Sequence, residues 1–549
     1  DPSALGHFTN PHCPQVGPFI VLVAPVVGGL LYGPLVYRFA PEARGHGVPE
    51  VMLAVHSNEG RIRGRVPIVK SLASAICIGS GGSVGREGPI VQIGSALGSA
   101  LAQVSRQAAE NTRLLVACGA AGGIAATFNA PIAGVFFALE LILRDFQTRN
   151  FGVVVISSVL ATAVGRLAFG SEAFLDLPAF RLVSAAEYPL YALLGVLAAL
   201  VGIAFIRVLY GAEDVADGVW RGPAWLRPAV GGLLLGLILL VLPEMYGVGY
   251  PVLEGAIDGR YAAALLVAFL VGKIAATSVT MAIGGSGGVF APSLFMGAML
   301  GSAFGLGAHD LLPGATASAG AYGLVGMAAV FAAAGRAPIT AVLIVFELTG
   351  EYSIILPLML AVVVAAGLSR ALSADSIYSL KLRRRGIDIE RPARSGLVAG
   401  LEIGQAMRPP PPAVGSRAGT AEIAAQLAAS GQLALPVLDD EGRLLGVVTA
   451  RALEQGAGDA TGLGAADLAQ AAPALHPADE LGAAVDWLSE GDREAVPVLD
   501  ESGGALVGWL DHRDVVRAYA GRLGAVDRQP AGGNAPAPPV PGLPTESVA

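Results

Sequence analysis

Residues 82–94 read "GSVGREGPIVQIG", an Arg–Glu pair set among glycines with apolar sequence on both sides. Charge in such surroundings is expensive to bury, so the pair is either neutralised locally or kept for a purpose. The chain around it has the composition of a membrane protein. Of its 549 residues, 54% are hydrophobic and 14% charged, against roughly 25% charged in soluble domains. Long apolar runs recur at 18–37, 151–169, 189–209, 229–243, 261–283 and 354–372. A bilayer core of ~30 Å takes about 20 apolar residues as helix, so the chain is expected to span a membrane many times. Other apolar runs, at 88–104, 116–140 and 323–349, are interrupted by Gly or Pro. Helices broken at membrane depth line cavities, which is the transporter arrangement. Close packing through small residues accounts for many of the 74 glycines as well.

The membrane region repeats itself. "GREGPIVQIGSALG" from Gly85 aligns with "GVFAPSLFMGAMLG" from Gly288, pairing Pro89 with Pro292, Gly94 with Gly297 and Gly98 with Gly301, all 203 apart. The same offset pairs "VVGGLLYG" (26–33) with "AVGGLLLG" (229–236), and Lys70 with Lys273, two of the three lysines in the chain. Further on, "NAPIAGVFFALE" (129–140) matches "RAPITAVLIVFE" (336–347) at an offset of 207. Two such halves meet around a site near the bilayer midplane. The second half opens with the apolar run 189–209, whereas only 27 residues, including "TNPHCPQVGP", precede Gly28. The counterpart helix is therefore expected to be absent from this chain, which begins at Asp1.

Three segments place glycines just ahead of an apolar helix: "GHGVPEV" (45–51), "GREGPIV" (85–91) and "GGSGGVFAP" (284–292). The first N–H groups of a helix lack internal partners, and the macrodipole leaves about +0.5 charge there. Glycine lets a ligand approach that backbone closely. Several such N-termini aimed at one point bind an anion without a full positive charge, which allows release as well as capture. A cation site would need carboxylates or carbonyls facing the pore, and the apolar spans offer few carboxylates beyond Glu87, Glu140 and Glu347. The reading is anion passage.

These residues carry a resemblance over about 18–385. The chain is similar to the CLC family of chloride channels and chloride/proton exchangers, whose fingerprints G-x-G-x-P, G-[KR]-E-G-P and G-x-F-x-P stand here in order as "GHGVP", "GREGP" and "GVFAP". The resemblance implies an all-α fold of two inverted repeats, about 18–170 and 188–372, and a homodimer with one pore per subunit in the bilayer. It also implies that the usual first two membrane helices are missing. Carried over position by position, Glu87 is the gating glutamate, whose carboxylate occupies an anion position until displaced or protonated. The backbone around Arg86, Glu87 and Gly88 and at Val289 and Phe290 supplies chloride ligands, and Tyr378 in "DSIYSLKL" adds a hydroxyl. Arg86 is also structural and electrostatic, while Lys70 and Lys273 either add positive potential or serve packing and snorkelling.

Two positions depart from the family pattern. His46 stands where chloride-selective members usually carry Ser. Imidazole donates one hydrogen bond when neutral and two when protonated, so His46 either makes anion binding pH-dependent or turns away from the pore. Leu141 follows Glu140, where exchangers commonly carry a second glutamate that hands in protons; Glu140 itself matches a structural glutamate. Leucine relays no proton, so passive, channel-like chloride conduction gated by Glu87 through voltage or pH is the first reading. Chloride/proton antiport is the alternative. A CBS-regulated cation transporter and a non-transporting sensor are remoter, since neither explains the three glycine signatures.

The apolar character ends near Leu372 and gives way to "KLRRRG" (381–386), Arg391 and Arg394. Basic residues just past a last span place that side in the cytoplasm, of a bacterial inner membrane on this reading. After a linker (386–402) comes a soluble α/β region, then a Pro/Ala/Gly tail (524–549) expected to be disordered. "ALPVLDDEGRLLGVVTARAL" (434–453) matches "AVPVLDESGGALVGWLDHRDV" (495–515), with Pro436 and Pro497 61 apart. This resembles a tandem pair of CBS domains, 403–456 and 464–523. CBS pairs often hold adenine nucleotides through a Ser or Thr ending the second strand and an Asp three residues on. Here Thr449 is followed by Ala452, and Asp514 is preceded by Asp511. A carboxylate at Asp511 would oppose phosphate, so a structural or dimer-forming module is favoured over a nucleotide site at Thr449 and Asp514. Cys13, Cys77 and Cys118 show no metal or disulfide spacing, and no H-E-x-x-H, P-loop or Ser–His–Asp constellation stands in context. No enzyme activity, required cofactor, metal or nucleic-acid partner is expected.

Overall fold

The computed structural model describes residues 17–170, 180, 182–184, 187–350, 352–389, 401–456, 464–473, 475–489, 493–500 and 504–526. Cys13 and the rest of the N-terminal segment before Gly17, most of the 386–402 linker with Arg391 and Arg394, and most of the 524–549 tail lie outside them. Two compact units emerge, 1–390 and 391–549.

The first unit is helical. Its first half comprises α1 (Gly17–Phe39), α2 (Val48–Ser57), α3 (Val66–Gly79), α4 (Glu87–Val104), α5 (Ala109–Phe128), α6 (Pro131–Phe137, continued by a π-helical turn, Ala138–Leu143) and α7 (Thr148–Phe169). Its second half comprises α8 (Tyr188–Val219), α9 (Arg227–Val241), α10 (Tyr250–Ile257), α11 (Ala263–Ala282), α12 (Phe290–Leu311), α13 (Ala319–Gly335), α14 (Pro338–Thr349) and α15 (Ile355–Leu372), closed by the short α16 (Ser379–Arg383). Helices α1–α7 correspond in order to α9–α15, and α8 has no counterpart among the described residues.

Seven described helices are long and apolar enough to cross a bilayer. Six of them carry the six long apolar runs; the seventh, Phe290–Leu311, belongs to a glycine signature, and its Gly, Ser, His and Asp residues dilute the apolar signal. The exterior is apolar, with Val104, Leu167, Val241 and Leu311 each more than three-quarters exposed. Polar groups such as Lys70, Lys273 and Glu187 are fully buried instead. That distribution suits hydrocarbon rather than water as the surrounding solvent.

Reciprocal contacts show how the halves meet. Gly85 N–H donates to the Gly288 carbonyl at 2.8 Å and Gly288 N–H to the Gly85 carbonyl at 2.6 Å. Equivalent residues pair antiparallel with each other, as a twofold relation between inverted repeats requires. Glu140 accepts the N–H groups of Ile339 (3.1 Å) and Thr340 (2.8 Å) at the start of α14. Its equivalent Glu347 accepts those of Ile132 (2.9 Å) and Ala133 (2.6 Å) at the start of α6. Each half thus caps a helix of the other with a carboxylate, a contact of order 1 kcal/mol, and Glu140 here joins the two halves.

The second unit repeats a strand pair and a helix. It contains α17 (Ile403–Ala406), β1 (Val414–Gly415), α18 (Thr420–Ser430), β2 (Ala434–Leu438), β3 (Leu444–Thr449) and α19 (Ala450–Gly456). There follow α20 (Ala465–Leu468), α21 (Leu481–Ser489), β4 (Ala495–Leu499), β5 (Leu506–Asp511) and α22 (His512–Val526). β2 pairs antiparallel with β3, and β4 with β5, each with a register shift at the same place, Val437/Leu438 and Val498/Leu499; β1 adds to β2 in parallel. Leading segments are exchanged. Ile403 packs into the core around Leu481, Val496 and Leu510, while Ala465 packs with Leu435, Val437 and Val448. Neither repeat closes its core without a residue from outside its own strand pair.

Candidate anion pathway

Three helix starts of the first unit converge. The Gly45 N–H bonds to the Gly285 carbonyl at 3.0 Å, and Ser286 Oγ donates to the Ala43 carbonyl at 2.9 Å, so the loops ahead of α2 and α12 are knit together. The loop ahead of α4 joins them through Gly85 and Gly288. Backbone touches backbone here. A Cβ on Gly88 would lie 2.0 Å from the His46 carbonyl oxygen, and one on Gly47, at φ +86°, would lie 2.6 Å from the Gly88 oxygen. Only glycine permits that approach. None of the starts of α2, α4 and α12 is capped by a side chain, which leaves their positive ends for a ligand.

Between them lies a constriction too tight to admit a water molecule, lined by His46, Val48, Glu87, Gly88, Val91, Phe137, Val289, Phe290 and Tyr378. Six of these nine are residues that the sequence had singled out. Glu87 is 1% exposed. Its Oε1 accepts the Tyr250 hydroxyl at 2.7 Å, and the N–H groups of Glu87 and Ala291 lie close to the carboxylate. Its Oε2 fills the space where a Cβ on Gly85 would stand, 2.0 Å away. A side chain at the first glycine of "GREG" would therefore push the carboxylate out of this position.

His46 is buried, with its ring parallel to that of Tyr210 at 6.3 Å between centroids. Neither of its ring nitrogens has a hydrogen-bond partner in the protein. Tyr378 enters just ahead of α16. Its backbone is fixed by the Ile377 N–H on the Ala334 carbonyl (2.8 Å) and by the Tyr210 hydroxyl on the Ile377 carbonyl (2.6 Å). A Lys381–Glu50 ion pair at 2.9 Å ties α16 to α2.

The remaining expected residues stand outside the lining. Arg86 places its guanidinium 5.6 Å from the ring centre of Tyr250. Lys70 Nζ donates to the Ala43 (2.9 Å) and Gly45 (2.8 Å) carbonyls, and Lys273 Nζ to those of Gly247 (2.9 Å) and Val248 (3.0 Å). Neither lysine snorkels; each is fully buried and holds one loop of its own half. Val48, Val91, Phe137 and Tyr250 are the site residues that sequence reasoning passed over. For Tyr250 a signal existed: "GVGYP" (247–251) is a second G-x-G-x-P, 202 residues after "GHGVP".

A sequence model described as voltage-gated chloride channel matches residues 28–370, which contain all three glycine signatures. The chain belongs to the CLC family. A CBS-domain model matches residues 402–454. A ClcB-like protein of Ralstonia nicotianae that carries a chloride-channel name is 38% identical, over 67% of this chain and 87% of its own length. The H(+)/Cl(-) exchange transporter ClcA of Vibrio parahaemolyticus is 36% identical, over 64% of this chain and 76% of its own. Among solved structures, a slow cyanobacterial Cl-/H+ antiporter superposes with a TM-score of 0.64 at 27% identity, covering 71% of this chain and 94% of the other. A eukaryotic CLC transporter superposes at 0.62 over 93% of this chain and 94% of the other; at 21% identity it speaks for the fold. The chain is a membrane protein of CLC-type chloride transport, a transporter or channel and no enzyme. Among the described residues, no three His, Cys, Asp or Glu side chains converge as a metal site.

In the CBS pair, Thr449 and Asp514 are buried. Thr449 Oγ accepts the Ala452 N–H at 3.1 Å. Asp514 Oδ2 accepts the Asp511 N–H, and Asp511 Oδ1 the Asp514 N–H, both at 3.0 Å, a mutual cap at the start of α22. Arg408 bonds to both carboxylates, at 2.6 Å to Asp511 and 2.9 Å to Asp514. Near them, Gln432, Glu494, Trp509, Asp511, His512 and Arg513 border a cleft of about 260 Å³.

Proposed function

We propose that this CLC protein exchanges chloride for protons, with Glu87 as both gate and proton carrier. The observation that carries the reading is a buried carboxylate standing at helix N-termini in a tight constriction. It occupies what the local electrostatics make an anion position. Protonation removes the charge that competes with the anion, so one side chain links the two ions. Two of the relatives named above, the Vibrio ClcA and the cyanobacterial protein, are described as exchangers, and the earlier preference for passive conduction yields to them. Uncoupled conduction remains a second reading for one reason: Leu141, buried in the π-helical turn, carries no proton. His46, Arg86, Gly88, Val289, Phe290 and Tyr378 form or support the anion path on this reading. The protein works as a homodimer in a bacterial inner membrane, with its CBS pair in the cytoplasm.

The test is the reversal potential of the protein in planar bilayers under crossed chloride and pH gradients. Exchange sets a potential that moves with both gradients, passive conduction one that follows chloride alone. A cation-selective potential overturns the chloride path itself.

We further infer that the CBS pair is structural. Arg408 is already engaged by Asp511 and Asp514, and Ala434 and Val447 of one repeat share a core with Ala495 and Trp509 of the other. A nucleotide bound at ~10 μM and supplied at ~1 mM would stabilise the folded protein by about 2.7 kcal/mol. Thermal unfolding of the full chain with AMP, ADP or ATP is expected to show no such shift, and a clear rise in the midpoint would reverse the assignment.

A further inference from the structure

We infer that Tyr250 is a latch on the gate, a positioning residue that holds the ionised Glu87 closed; this rests on the reading of Glu87 as the gate. Tyr250 is the first residue of α10 and follows Gly249 in the left-handed region, at φ +90°. The loop that delivers it is clamped by Lys273, whose ammonium bonds to two consecutive carbonyls, Gly247 and Val248. Lys273 is in turn seated 4.9 Å from the ring centre of Phe295 on α12. Arg86, the neighbour of the gate, packs its guanidinium against the Tyr250 ring. The phenol is therefore fixed from its backbone and from its ring, with its hydroxyl 2.7 Å from Glu87 Oε1.

The repeat gives this arrangement its meaning. Each half has a G-x-G-x-P loop held by a buried lysine through two carbonyls. In the first half that device delivers His46 to the pocket lining. In the second it delivers Tyr250 to the gate carboxylate. The two loops thus serve different ends of one path, one a ligand position and the other the hold on the gate. The groups that face Glu87 are its neighbour Arg86, Tyr250 from α10, Lys273 from α11, Tyr378 ahead of α16 and His46 ahead of α2. Of these, Tyr250 donates directly to the carboxylate.

A hydroxyl donates more strongly to a carboxylate than to a carboxylic acid. The bond therefore favours the closed, ionised gate over the protonated one, and chloride must break it to displace Glu87 at neutral pH. Removing the hydroxyl should raise chloride flux near neutral pH about tenfold and move the midpoint of acid activation up by about one pH unit.

The experiment is chloride efflux from liposomes across a pH series for the wild type, Tyr250→Phe, Glu87→Gln and the double variant. Tyr246→Phe is the control, since its hydroxyl bonds to the Gly79 carbonyl at 2.7 Å rather than to the gate; its profile should match the wild type. The latch requires Tyr250→Phe to shift the profile when Glu87 is present and to change flux far less once Glu87 is Gln, whose neutral amide accepts the hydroxyl only weakly. If Glu87→Gln loses pH dependence while Tyr250→Phe behaves as wild type, the gate stands and the latch is refuted. If Glu87→Gln keeps the wild-type profile, the gate reading itself has failed. If Tyr250→Phe changes flux equally in both backgrounds, its effect does not run through the carboxylate, and the latch is again refuted.

Discussion

Replacing Glu87 with Gln is expected to abolish the pH dependence of chloride flux and, with it, all chloride-driven proton movement. Glutamine keeps the size of the side chain and can still accept the Tyr250 hydroxyl, but it carries neither charge nor a transferable proton. In the native pocket the ionised carboxylate competes with chloride for the positive ends of α4 and α12. A neutral amide competes far less well, because hydrogen bonds to charged groups are about twice as strong as neutral ones. Chloride flux near neutral pH should therefore rise by roughly tenfold or more, the equivalent of at least one charge-assisted hydrogen bond. Flux traces and a proton electrode on the same liposomes read both effects at once. The sign is fixed by the chemistry: acid activates the wild type by neutralising Glu87, and the variant behaves at every pH as the acid-activated form does. A variant that folds, conducts and still responds to pH would place the gate on another group.

Much of this site was legible in the sequence because it is built from backbone. Glycine spacing ahead of a helix start is visible without coordinates, and so is its recurrence 203 residues later. Six of the nine pocket-lining residues follow from those segments and from Tyr378. What stayed hidden is tertiary. Val48, Val91 and Phe137 read as ordinary core residues, since their types and spacing are those of any buried helix face. The lysines were visible by their scarcity, but their role was not: only the coordinates show each one satisfying two loop carbonyls. The exchange of leading segments in the CBS pair was hidden too, because a repeat boundary drawn on sequence assumes that each unit packs on itself. Helix α12 was legible as a site element but not as a span, since the glycines that make it functional also lower its apolar signal.

Those same glycines underlie the second large effect, expected in folding rather than transport. A Cβ on Gly94 would stand 2.1 Å from the Gly119 carbonyl oxygen, and one on Gly119 would stand 2.0 Å from that of Gly94. The second half repeats the contact between Gly297 and Gly326, at 2.2 Å in both directions. Helices α4 and α5, and likewise α12 and α13, therefore touch backbone to backbone, and no flexible side chain can yield. Even alanine would force the pair apart by more than an ångström. Overpacking of this kind typically costs about 1–3 kcal/mol and more when main chain must move. Gly94→Ala should lower the thermal midpoint in detergent, and Gly94→Ala combined with Gly297→Ala should leave little monodisperse protein. Gly152→Ala on α7, where a Cβ meets nothing within 4 Å, is the contrast. It should be neutral or slightly stabilising, since alanine is the better helix former by up to about 1 kcal/mol. Wild-type stability in Gly94→Ala would mean that the contact is not fixed, and the placement of Glu87 at the head of α4 would lose its mechanical support. A destabilised Gly94→Ala that still transports should show a disturbed pH response, because the helix that is pushed aside carries the gate at its first turn.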